Sequence, residues 1–224
     1  MLGLLLNGRF EELLIVALVL VIALSLHEFG HAFAADLQGD PTPRNLGRLT
    51  VNPKAHLDPF GTLMIVLAGF GWGKPVPFNP ARLRNQRFGS LIVGGAGPLM
   101  NIILAFLAAI ALRLLSPGPD SSLFVLRLLF AFIEINVLLA VFNLIPVPPL
   151  DGSRILAAVL PPSQQRIVYF LDRWGFAILL VLFVFGQGLL TPLLGAGTDT
   201  VSGWILKAVG YGSLGQPAGW ANPG

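Results

Sequence analysis

The most constraining feature of the sequence is an apolar run from Leu13 to Ala35 that contains a His-Glu-x-x-His pattern. A run of about 23 apolar residues is long enough to cross a bilayer as a helix. In a helix, His27 and His31 lie one turn apart on one face, and Glu28 lies about 100° around from His27. Ionisable groups are costly inside a membrane helix and are usually functional there. The run therefore predicts a membrane helix that carries a functional site.

The composition of the whole chain indicates an integral membrane protein. Of its 224 residues, 54% are hydrophobic and only 11% are charged, which is too apolar for an ordinary soluble domain. The formal net charge of +3 could suggest nucleic-acid binding. The basic residues are concentrated between apolar runs, however, where the positive-inside rule explains them. We therefore expect the lipid bilayer as a partner and no nucleic acid.

Four apolar runs are long enough to be membrane spans, so we expect an all-α, polytopic helical bundle. Their predicted bounds are Leu13 to Ala35, Ser90 to Leu112, Leu123 to Leu144 and Trp174 to Leu194. These runs place the membrane domain at residues 1–194. Residues 195–224 read as a Gly-rich tail with one short apolar, interfacial piece.

The loop between the first two runs, residues 36–87, has seven basic residues against three acidic ones. The positive-inside rule places this loop on the cytoplasmic side. Gly47 to Val51 and Lys74 to Phe78 have the β-branched and proline content of short extended segments. The apolar piece Gly61 to Trp72 is too short to cross the membrane. We therefore expect a small β-hairpin or a re-entrant region between the first two spans.

The His-Glu-x-x-His pattern provides two of the ligands that a zinc hydrolase needs, and Glu28 can accept the proton of the attacking water. The chain has no cysteine, so an oxygen atom must complete the site. Asp151 is the best-placed carboxylate, because it follows a proline-rich break that can fold back to the first helix. Alternatively, Asp151 only caps the helix that follows it.

Four other polar residues have two interpretations each. Asn143 could donate to the oxyanion of a tetrahedral intermediate, or form only an interhelical hydrogen bond. Asn101 is either a contact to the substrate backbone or a packing residue. His56 is either solvated or close to the metal, as a substrate contact or reserve ligand. Glu134, near the middle of the third run, should be neutral or paired with a polar neighbour.

Three segments together resemble the site-2 protease family of intramembrane zinc metalloproteases, which is peptidase family M50. They are His27 to His31, Gly94 to Asn101 and Asn143 to Gly152. Asn52 to Gly61 is similar to the prokaryotic branch that has no appended PDZ or CBS domain. The likeness covers roughly residues 13–155. It implies a three-span catalytic core with one Zn²⁺ ion per chain, which hydrolyses peptide bonds in or near the transmembrane segments of other proteins.

By motif position, the resemblance implies that His27, His31 and Asp151 are the zinc ligands. Glu28 would be the general base and Asn143 the oxyanion donor. Together with the charge pattern, it also implies a multi-pass location in the cell membrane with the active site towards the cytoplasm. In contrast to some relatives, no span precedes the first helix, and no regulatory domain is expected.

Two alternatives come from other classes of protein. A metal transporter or sensor would bind zinc without hydrolysis, but it would not need the non-ligand carboxylate of Glu28 beside the two histidines. An ordinary zinc protease tethered to the membrane would need a soluble catalytic domain, and no stretch is long and polar enough. The sequence contains no signal for the oligomeric state.

Overall fold

The computed structural model describes residues 4, 6–68, 72–115 and 122–211. Helices dominate this part of the chain, and no strand occurs in it. The long helices are α1 (Phe10–Leu37), α5 (Gln86–Leu114), α6 (Leu123–Asn143), α8 (Gln165–Phe185) and α9 (Gln187–Ala208). The short helices are α2 (Thr42–Asn45), α3 (Pro53–His56), α4 (Pro59–Ala68) and α7 (Gly152–Val159), with 3-10 turns at Pro80–Arg82 and Pro162–Gln164.

Helices α1, α5, α6 and α8 are long and apolar enough to cross a membrane, judged by length and composition. The first three contain the predicted spans, apart from Leu144, which follows the last residue of α6. The predicted end of the fourth span is wrong, because α8 ends at Phe185 and a new helix begins at Gln187. The interruption Gly186-Gln187-Gly188 is short and apolar residues resume at Leu189, so an average hydropathy over this stretch did not reveal the break.

Helix α9 extends into the segment predicted as a Gly-rich, partly interfacial tail. The boundary at residue 194 lies inside this helix, which ends only at Ala208. Leu190, Thr198, Ser202 and Ile205 of α9 are buried, because the helix packs against α6 and α5. The remainder of the predicted tail, residues 212–224, lies outside the described part of the chain.

Small residues allow the central helices to approach closely. Helix α5 packs against both α1 and α6, and α1 and α6 also contact each other. A Cβ atom at Gly30 of α1 would lie 2.9 Å from the carbonyl oxygen of Ala96 in α5, so only glycine permits this separation. Close approach through small residues is the usual way in which helices associate in lipid, where apolar burial gives little driving force.

The predicted β-hairpin between α1 and α5 is not found among the described residues. A single antiparallel bridge joins Leu57 and Gly73. The strand expected at Gly47 to Val51 is wrong: Gly47 has a φ of +66° and closes a turn, and the Asn52 side chain then caps α3. The apolar piece instead forms α4, whose 10 residues are too few to span a bilayer, and residues 69–71 lie outside the described part.

The second extended segment, residues 74–79, is irregular and is held by side chains. Arg48 donates to the carbonyl oxygens of Lys74 and Pro75. The backbone amide of Asn79 donates to Oδ2 of Asp40 at 2.5 Å. These contacts fix the segment beside the C-terminal half of α1, where the two histidines lie.

Candidate metal centre

Three donor atoms from distant parts of the sequence meet beside α1. The Nε2 atoms of His27 and His31 are 3.1 Å apart. Oδ2 of Asp151 lies 3.1 Å from the first of these atoms and 3.2 Å from the second. Ligands of tetrahedral zinc at 2.0–2.1 Å are themselves about 3.4 Å apart, so these donors already have nearly the spacing of a zinc site.

The chemistry of the three donors also fits a metal ion. All three side chains are buried, and lone pairs that converge at such short distances repel one another unless a cation or a proton lies between them. A carboxylate must be deprotonated to bind a metal. With Asp151 ionised, the group offers two imidazole nitrogens and one anionic oxygen to a single ion.

Glycine at position 97 of α5 leaves room for the donors. A Cβ atom at Gly97 would lie 2.4 Å from Nε2 of His31 and 2.6 Å from Nε2 of His27. Any side chain here would occupy the space in front of the two rings. The sequence indicated only that this small-residue segment packs closely, whereas the structure shows that Gly97 borders the metal centre.

Both imidazole rings are oriented through their second nitrogen. Nδ1 of His31 lies 2.7 Å from the carbonyl oxygen of Val93, and Nδ1 of His27 lies 2.6 Å from Oδ1 of Asn101. A carbonyl oxygen can only accept, so each Nδ1 carries the proton and each Nε2 keeps its lone pair for a metal. Asn101 in turn donates to Oδ1 of Asn136 at 2.8 Å, and both asparagines are fully buried.

Glu28 is held by the irregular segment that follows α4. Its Oε2 atom accepts a hydrogen bond of 3.1 Å from the backbone amide of Val76. The buried Arg48 fixes this segment through the two preceding carbonyl groups. Burial lowers the pKa of the Arg48 guanidinium, and the negative charge of Glu28 opposes this effect. The buried guanidinium of Arg48 therefore holds the segment that positions the Glu28 carboxylate.

A cavity of about 220 Å³ joins these groups. Its lining includes the three donors together with Glu28, Asn143 and Arg154. Nδ2 of Asn143 donates to the carbonyl oxygen of Leu139 at 2.9 Å, one turn back in α6. A side-chain amide has two N–H groups, so the second one remains available. The oxyanion role of Asn143 stays a prediction that this position permits.

The structure does not bring the other candidate residues into this cavity. Asn101 is fully buried, and its Oδ1 atom contacts Nδ1 of His27. His56 is also fully buried, and its Nε2 atom lies 2.7 Å from the carbonyl oxygen of Thr50. Glu134 lies near the hydroxyl of Ser202 in α9, which is a polar neighbour of the kind expected.

Sequence reasoning missed Arg48, Gly97 and Asn136. Asn136 is polar within an otherwise apolar span, which was a usable signal. Arg48 is one of seven basic residues in its loop, and nothing in the sequence distinguishes it from the others.

Comparisons with known proteins cover most of this chain. The model of the family described as Peptidase family M50 matches residues 15–122 and 118–182. The chain is 38% identical over 199 residues to "Putative zinc metalloprotease YwhC" of Bacillus subtilis, and the alignment covers 83% of this chain and 88% of that protein. It is 33% identical over 205 residues to "Putative zinc metalloprotease Rip2" of Mycolicibacterium smegmatis, covering 89% and 75% of the two chains.

A more distant relative is "Zinc metalloprotease MJ0392" of Methanocaldococcus jannaschii. It is 26% identical over 182 residues, which are 80% of this chain and 44% of that protein. No solved structure matches the chain. The residues matched by the family model include all three donors of the metal centre and Glu28.

Proposed function

Because the chain belongs to peptidase family M50, we propose that it hydrolyses peptide bonds in or near the transmembrane segments of other membrane proteins. The family match confirms the predicted family and its zinc metalloprotease class. The four helices that are long and apolar enough to cross a membrane agree with a multi-pass membrane protein. The observation that carries the proposal is one cavity lined by two buried histidines, a buried aspartate and a separate glutamate. This set serves metal binding and proton transfer together.

The residues of this chain have distinct roles in the proposed reaction. His27, His31 and Asp151 would hold the zinc ion through the three converging atoms. Zinc supplies, when bound, Lewis-acid polarisation and a water of lowered pKa. The Oε1 atom of Glu28 would accept the proton of the attacking water, because Oε2 is engaged by the amide of Val76. The free N–H of Asn143 would stabilise negative charge on the carbonyl oxygen.

The arrangement favours hydrolysis over metal transport or sensing. Glu28 shares the cavity with the donors but is not part of the converging group. Its carboxylate is oriented by a backbone hydrogen bond of 3.1 Å. A carboxylate fixed beside the ligands is what proton transfer needs, whereas simple binding and release of an ion needs no such group.

The comparison of Glu28→Gln with wild type tests this function. The exchange removes the base and keeps the side-chain volume, so zinc content should be unchanged while peptide hydrolysis falls at least 100-fold. The readout is the set of membrane-protein fragments in cells that express each variant, together with zinc in the purified proteins. Glu11→Gln is the matched control, since it makes the same exchange at an exposed position of α1.

Undiminished cleavage by Glu28→Gln would refute the proposed mechanism and favour the transporter or sensor. Asp151→Ala separates the two parts of the site, because it should lose zinc as well as hydrolysis. Wild-type zinc content in Asp151→Ala at a matched chelator concentration would remove Asp151 from the ligand set.

We also propose that the active site opens towards the cytoplasm. His27 lies ten residues before the end of α1 at Leu37, which is about 15 Å along the helix axis. The basic loop follows this end of α1, as the positive-inside rule expects for a cytoplasmic segment. A cysteine placed at the exposed Asn45 in intact cells should resist a membrane-impermeant thiol reagent. Labelling of this cysteine from outside the cell would show that the protein has the opposite orientation.

A further inference from the structure

A second and larger cavity, of about 620 Å³, lies next to the metal centre. It is formed by residues 76–80, by the beginning of α5, and by α7 with the residues that follow it. Val76 and Arg154 line both this cavity and the one that contains the donors. The two cavities therefore share a wall. One of the two shared residues is Val76, whose backbone amide donates to Glu28.

The larger cavity is basic. Its described lining contains two arginines and no acidic residue. Arg87 has a structural role, because it donates to the carbonyl oxygens at the end of α7, including those of Val159 and Leu160. Arg154 has no such partners. Its guanidinium lies 4.8 Å from the ring centroid of Phe78, and no carboxylate in the described part of the chain pairs with it.

The stacked guanidinium is suited to a carboxylate. An arginine fork binds carboxylates through two parallel hydrogen bonds, and stacking on an aromatic ring keeps its edge free for them. Arg154 follows the donor Asp151 by three residues, which places the two Cβ atoms about 5–6 Å apart. A carboxylate bound by Arg154 would therefore lie within a few residues of a peptide bond held at the metal centre.

We propose that the larger cavity receives the substrate chain beyond the scissile bond, and that Arg154 binds an Asp or Glu side chain in that segment. The inference rests on the proposed proteolysis and adds a substrate preference to it. A volume of about 620 Å³ is in the range of sites that enclose a small ligand. The shared wall makes a continuous polypeptide the occupant that reaches both cavities, which a lipid headgroup does not need to do.

The test uses the cleavage sites themselves. Wild type and the variants Arg154→Gln, Arg154→Lys and Arg154→Glu are each expressed in cells, and the termini of membrane-protein fragments absent with Glu28→Gln define the cuts. In wild type, Asp and Glu should be enriched at one fixed position within about five residues of the cut. Arg154→Lys should weaken this enrichment without abolishing it, because lysine keeps the charge but not the fork. Arg154→Gln should reduce it to background, and Arg154→Glu should replace it with Lys and Arg.

Arg166→Gln is the matched control, because it removes an exposed arginine of α8 that lines neither cavity, and it should keep the wild-type pattern. Wild-type cuts without acidic enrichment at any fixed position would overturn the inference, even if the Arg154 variants do not accumulate. Enrichment that survives both Arg154→Gln and Arg154→Glu would also overturn it. If Arg154→Gln lost cleavage equally at cuts with and without a nearby acidic residue, Arg154 would bind a lipid headgroup instead of the substrate, and the inference would be overturned.

The two proposals fail in different ways in this experiment. If no cut depends on Glu28, the proposed proteolysis fails and the preference fails with it. If Glu28-dependent cuts are found but their flanking residues do not respond to position 154, only the preference fails.

Discussion

The Nδ1 atom of His27 lies 2.6 Å from the Oδ1 atom of Asn101, and this contact joins an imidazole ring on α1 to a buried amide on α5. Asn101 is itself fixed by Asn136 of α6 at 2.8 Å. Three membrane helices thus determine the orientation of one imidazole ring. Such supporting contacts set the tautomer and the basicity of a metal ligand.

Asn101→Ala should weaken zinc binding by about 10- to 100-fold, which is typical when the partner of a ligating histidine is removed. The exchange leaves two buried polar atoms, Nδ1 of His27 and Oδ1 of Asn136, without their hydrogen-bond partner. The measurement is competition for zinc against a chelator of known affinity with purified protein. Asn45→Ala, at an exposed position, serves as the control. Unchanged affinity in Asn101→Ala would mean that α1 orients His27 without help from α5.

Gly97→Ala should abolish or strongly reduce zinc binding although it alters no donor atom. The added methyl carbon would lie 2.4 Å from Nε2 of His31, far inside van der Waals contact. Gly95→Ala makes the same exchange in the same helix, with nothing within 4 Å of its Cβ. It should bind zinc like wild type. Equal zinc content in the two variants would show that α5 can move away from the histidines.

Arg48→Gln should lower kcat at least 10-fold while KM and zinc affinity remain at wild-type values. Arg48 positions the segment whose Val76 amide holds Glu28, so only the proton-transfer step should suffer. Arg44→Gln is the control, because Arg44 belongs to the same loop but pairs with Asp36 at an exposed site. A fall in zinc affinity together with kcat would instead indicate general disruption of the fold.

Asn143→Ala should keep zinc and lower kcat by about 100- to 1,000-fold, the usual effect of removing one oxyanion donor. Asn143 lines the cavity of the metal centre, and its existing hydrogen bond uses only one of its two N–H groups. Steady-state kinetics with a substrate identified through Glu28 dependence would measure this. A kcat close to wild type would leave Asn143 with the interhelical role that the sequence also allowed.

Hydropathy placed the first three spans correctly, because apolar length is a local property that the sequence contains in full. It failed at Gly186, where a short Gly-Gln-Gly interruption of the apolar residues separates two helices. It did not predict α9, whose C-terminal part reads as a Gly-rich tail but whose polar Thr198 and Ser202 are buried. The burial of a helix face depends on its neighbours, which no local pattern specifies.

The sequence by itself determined the chemistry of the centre: two imidazoles one helical turn apart, a carboxylate beside them, and no thiol to compete. Only the tertiary structure decided which residues support this chemistry. Asn101 proved to orient His27, and Gly97 borders the donors. The physical reason is that ligand type and helical spacing follow from neighbours in the chain, whereas hydrogen-bond partners and free volume arise from helices that meet across large sequence separations.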